Sequence, residues 1–136
     1  FTYTLEGRYV ANLDGWRLEH NNPIRSPMDH GITVAISSDI LPIGPFVGLF
    51  AAVTREGMSG RVFGVDEAIT MQEAIRGYTI TGAYLNFEEE IKGSLEAGKF
   101  ADMIVLSEDI LSVDPERIMD IQVEQTYVGG KLVFSR

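Results

Sequence analysis

The chain has 136 residues, no cysteine and a formal net charge of −9, with 45% apolar and 23% charged residues. That is enough for one domain with a modest core, and it argues against extended disorder, disulfides and thiolate zinc sites. The acidic balance argues against nucleic acid or an anionic membrane surface as partner, and no apolar run reaches the roughly 18 residues that span a bilayer.

The absence of cysteine fits a cytoplasmic protein. The chain opens on Phe1-Thr2-Tyr3, without an initiator Met or a basic leader, and the expectation is a piece of a longer protein. Residues 1–22 are mixed and aromatic and read as loop or irregular helix. Pro23 and Pro27 bracket a short segment in which Pro27 suits a first helical turn capped by Ser26 and ended by Gly31. Ile32-Thr33-Val34-Ala35-Ile36-Ser37-Ser38 is β-branched and uncharged, the pattern of a strand buried on both faces in a parallel sheet. Asp39 follows it, and then a Pro/Gly loop through Pro42, Gly44 and Pro45.

Residues 46–57 read as an apolar helix stopped by Gly57, and residues 58–65 as a glycine-bearing loop. Thr70 and Glu73 have capping-box spacing, and Ala74, Ile75 and Tyr78 recur at helical intervals after it. A second short helix is expected through Thr81–Leu85. Residues 101–107 read as a strand, Asp114-Pro115 opens a helical turn, and the runs 123–128 and 131–134 flank Gly129-Gly130 as a hairpin.

Asp39 is the candidate catalytic residue. A carboxylate at the C-terminal end of a barrel strand can bind a divalent metal or take a proton from a water. The same residue could simply serve an Asx turn or helix cap before Pro42. Arg55 follows an apolar helix; it could hold a substrate carboxylate or cap helix carbonyls. His20 and His30, the only histidines, share no face by periodicity and read as surface or hydrogen-bonded side chains. Glu88-Glu89-Glu90 reads as a solvated face. The glycines at 57, 60 and 64 lack the context of a phosphate loop.

Three stretches carry a resemblance. They are Asn22-Pro23-Ile24-Arg25-Ser26 with Gly31 to Asp39; Ile69-Thr70-Met71-Gln72-Glu73-Ala74 with Tyr78-Thr79; and Lys92-Gly93-Ser94-Leu95-Glu96-Ala97-Gly98-Lys99-Phe100-Ala101-Asp102 with the Thr126 to Val133 hairpin. Together they resemble the end of an amidohydrolase-superfamily enzyme of the YtcJ-like group, some of whose members are labelled exoenzyme regulatory proteins. The resemblance implies an α/β fold. Residues 1–92 would be the C-terminal part of a (β/α)8 metallo-hydrolase barrel, and residues 93–136 the C-terminal share of its small β-sandwich.

It further implies a divalent metal, usually zinc, with Asp39 as metal ligand and general base in hydrolysis of an amide-type carbon–nitrogen bond of a small molecule. Arg55 is the candidate substrate contact read from the residues. The family's His-x-His pair is absent from this sequence. The chain alone is therefore expected to be inactive and to bind no metal. The alternatives are a stand-alone regulatory or binding module and a subunit completing a partner's site. Strands cut off from their neighbours also lead to an expected homodimer through exposed strand edges, or to a rearranged sheet in which the surviving strands pair with one another.

Overall fold

The computed structural model describes residues 2–4, 6–38 and 44–136. Six short α-helices precede a three-stranded antiparallel sheet: α1 (Glu6–Asn12), α2 (Gly15–Glu19), α3 (Arg25–Asp29), α4 (Pro45–Thr54), α5 (Met71–Tyr78), α6 (Ile80–Leu85), then β1 (Met103–Leu106), β2 (Val123–Val128) and β3 (Lys131–Ser135). Among the described residues no helix is long and apolar enough to cross a membrane.

Helix α4 is the centre of the packing. Pro45 sits in its first turn, where its missing N–H costs nothing. Leu49, Phe50 and Ala52 on it cluster with Ile69, Ala74 and Ile118. Burying side chains such as Leu49 and Phe50 contributes about 1.5–3 kcal/mol each. Ile118 belongs to a 3-10 turn, Pro115–Asp120, whose start is capped by the Asp114 side chain accepting from Glu116 N–H. The chain after residue 93 therefore returns to pack on α4.

Signals that close on themselves within a few residues appear in the structure as expected. Thr70 and Glu73 form a complete capping box at the start of α5. Gly129 and Gly130 take φ of 56° and 76°, which the tight turn between β2 and β3 requires.

Three local expectations are corrected. Residues 32–38 form no strand; the segment has no ladder partner among the described residues. A parallel strand is stable only beside its neighbours, and here the segment runs over helix instead. Its amide at Ile36 donates to the Gly77 carbonyl at 3.0 Å. Ser26 does not cap α3: the helix begins at Arg25, and the Glu67 carboxylate accepts from the Ile24 and Ser26 amides at 2.9 Å each. Helix α4 stops at Thr54 rather than near Gly57, because Arg55 takes the left-handed position, φ 59°.

Candidate functional site

The segment 32–38 leads toward position 39, so the surroundings of its C-terminal half define the candidate site. Val34 to Ser37 line a cleft of about 260 Å³ together with Gly48, Ala52 and Arg55. Tyr78 closes another wall, and burial raises its hydroxyl pKa above the ordinary value. Gly77 is a site of close approach. A Cβ there would lie 2.9 Å from Ile36 Cγ1, so a larger residue would push the segment off α5. The walls mix apolar side chains with Thr2, Asn22, Ser37, Arg55 and Tyr78 as polar elements.

Asp39 itself lies outside the described residues. Arg55 is well defined and is only 1% exposed. Its Nε donates to the Phe63 carbonyl at 3.1 Å, Nη1 to the Asn22 carbonyl at 3.0 Å and Nη2 to the Asn21 carbonyl at 2.9 Å. The fork therefore holds two loops together. The carbonyls it meets belong to those loops, and none of the three belongs to α4. Desolvation lowers its pKa, while the nearby negative charge of Glu67 raises it in part. Its neighbour Gly64 packs so tightly that a Cβ would lie 1.9 Å from the Glu19 carbonyl oxygen. The Gly64 amide also donates to Glu19 Oε2 at 2.8 Å.

A second charged cluster ties α3 to α5. Arg25 Nη1 donates to Glu73 Oε1 at 3.0 Å and Nη2 to Glu73 Oε2 at 2.5 Å. Glu73 also accepts from the Thr70 amide at 2.8 Å. The Arg25 fork first, then the Thr70 amide, push the Glu73 carboxyl down to about 2. Nothing in the sequence links Arg25 to Glu73, Glu67 to the start of α3 or Glu19 to Gly64. No spacing rule joins residues more than 40 positions apart.

The histidines are local. His20 Nδ1 donates to the Trp16 carbonyl at 2.9 Å, and its ring stacks on Trp16 at 4.4 Å. His30 Nδ1 donates to the Ser26 carbonyl at 2.7 Å. Among the described residues no group of three His, Asp or Glu side chains is placed to hold a metal ion.

Known proteins resemble the chain along most of its length. The sequence profile described as "Amidohydrolase family" matches residues 6–134. The N-substituted formamide deformylase of Arthrobacter pascens is 38% identical over 129 residues, which cover 89% of this chain and 24% of the relative. A Bacillus subtilis (strain 168) protein provisionally named amidohydrolase YtcJ is 31% identical over 111 residues, covering 78% of this chain and 21% of the relative. A crystal structure of an amidohydrolase from Thermotoga maritima MSB8 superposes with a TM-score of 0.60 at 21% identity, covering 80% of this chain and 24% of that one. The chain spans about a quarter of the length of the relatives it matches.

Proposed function

The chain belongs to the amidohydrolase family, and from that membership we propose that it forms the C-terminal region of a hydrolase acting on an amide-type carbon–nitrogen bond of a small molecule. The observation that carries the reading is the 38% identity to a formamide deformylase along 89% of the chain. In this reading residues 1–92 complete a (β/α)8 barrel and residues 93–136 contribute to a second, β-rich domain. In the complete barrel the extended segment 32–38 would take the place of the last strand, paired with neighbours from the other three quarters of such a protein.

Asp39 is then the carboxylate this region contributes to catalysis. It takes a proton from the attacking water and returns it to the leaving nitrogen. In the complete protein the same side chain is one ligand of a divalent metal, zinc in the reading favoured by the resemblance. Such an ion lowers the pKa of water bound to it. Arg55, with three donors committed to carbonyls, shapes the wall of the cleft from behind. The chain by itself is inactive in this reading, since its sequence lacks the family's His-x-His pair.

A domain exchange tests this. Residues 6–134 replace the matching stretch of the Arthrobacter pascens deformylase, and amine release from an N-substituted formamide is measured. Turnover that disappears with Asp39→Asn, in a chimera of unchanged folding, is the expected result. Turnover indifferent to Asp39→Asn, or a folded metal-loaded chimera with none, removes the reading. The unfused chain is expected to release no amine.

A further inference from the structure

Gly48 stands within α4, where a glycine weakens the helix. Its φ is not in the left-handed region, so backbone conformation does not require a glycine there. Space does. A Cβ at this position would lie 1.8 Å from the Tyr78 hydroxyl oxygen and 2.9 Å from its ring carbon Cζ. The Tyr78 side chain, at the end of α5, is therefore seated directly on the backbone of α4.

Tyr78 also meets the other side of the candidate site. With Gly48 and Ala51 of α4 it encloses a small cavity of about 30 Å³, whose remaining walls include Ser37 and Ser38. Ser37 and Ser38 directly precede Asp39, and five residues, 40–44, join Asp39 to Pro45 at the start of α4. The remainder of α4 is anchored, because Leu49, Phe50 and Ala52 share a core with Ala74 of α5. Tyr78 is thus a side chain that reaches both flanks of Asp39. Every group in this arrangement belongs to the chain itself. In a barrel the helices form an outer ring on the strands, so the same elements stay together when further strands are added.

We propose that Tyr78 is a positioning residue: seated on Gly48, it fixes α4 against Ser37 and Ser38 and thereby sets where the Asp39 carboxylate meets the substrate. This rests on the reading of Asp39 as the catalytic carboxylate. Tyr78 acts on the reaction only through that geometry. A misplacement of about 1 Å in a catalytic group costs about a hundredfold in rate, so a seat of this kind has a large kinetic effect without touching a reacting atom.

The test is steady-state kinetics of the chimera with the Arthrobacter pascens deformylase, with kcat taken per folded molecule as judged by circular dichroism. Gly48→Ala is expected to lower kcat by about tenfold to a hundredfold while KM changes by less than about twofold. Adding Tyr78→Phe to Gly48→Ala removes the oxygen that the new methyl group meets, and it is expected to recover most of the lost kcat. Ile121→Ala empties a buried position outside the α4 cluster, so it costs stability and is expected to leave kcat per folded molecule unchanged. The proposal is overturned, with Asp39 still catalytic, by an unchanged kcat in Gly48→Ala, by a loss that Tyr78→Phe does not relieve, or by an equal loss in Ile121→Ala. A rise in KM at constant kcat also overturns it, since that assigns the seat to substrate binding. A chimera without turnover that depends on Asp39 removes the reading of Asp39 and this proposal with it.

Discussion

Replacing Arg55 with Met separates two roles that one arginine can play. The Met side chain keeps the apolar stem but removes the guanidinium. Three charge-assisted hydrogen bonds disappear, to the carbonyls of Asn21, Asn22 and Phe63. Such bonds contribute about 1.5–3 kcal/mol each, less the relieved cost of burying the guanidinium. The three carbonyls then need new partners at a place only 1% exposed, and Glu67, also buried, loses a compensating charge. The expected net loss is about 3–5 kcal/mol, the usual result of removing one member of a buried charged network. For a chain of this length that is a fall in Tm of roughly 10–20 °C. Urea unfolding followed by circular dichroism and tryptophan fluorescence measures it. Arg55→Lys, which keeps the charge but loses the fork, is expected to fall between wild type and Met. If Arg55→Met changes stability by less than about 1 kcal/mol, the guanidinium is not holding the loops, and its purpose must be sought in ligand contact.

Glu73→Gln should lower stability at neutral pH by roughly 2 kcal/mol, discounted for partial solvent exposure. Because the folded carboxyl is held down at about 2, its contribution is complete above the unfolded carboxylate range. It fades as pH falls from about 4.5 toward 2, so the difference between wild type and variant should close over that window. A difference that stays constant down to pH 2 contradicts the assignment. Gly77→Ala should cost about 1–3 kcal/mol by overpacking against Ile36, and faster hydrogen exchange at the Ile36 amide would report the displaced segment. Plasma mass spectrometry of the dialysed chain should find well under about 0.1 metal ions per chain, as expected of a sequence without the family's His-x-His pair. Stoichiometric zinc lost in Asp39→Ala would show that this chain builds a centre of its own.

What could be read from the sequence alone was local or came from its likeness to a family. The Thr70–Glu73 box spans three residues and is complete within one helical turn. The Gly129-Gly130 hairpin needs only two strands already adjacent in the chain. The family could be read because three stretches of sequence carry it together, and the match over residues 6–134 bears that out. The candidate site was legible only as residue types. Asp39 and Arg55 were picked out by position, and position does not say what a side chain touches.

Tertiary structure decided everything that depends on a distant partner. Residues 32–38 have the composition of a buried strand, but a strand exists only through hydrogen bonds to a neighbour. With none among the described residues, the segment lies along α5 instead. Arg55 meets carbonyls 33 and 34 positions back in the chain. Glu67 caps α3 from 41 and 43 positions away, where Ser26 had the better local claim. Composition and spacing determine which residues are able to cap, pair or pack. The packing of α4 determines which of them meet, because contacts made across tens of residues leave no periodic trace in the sequence.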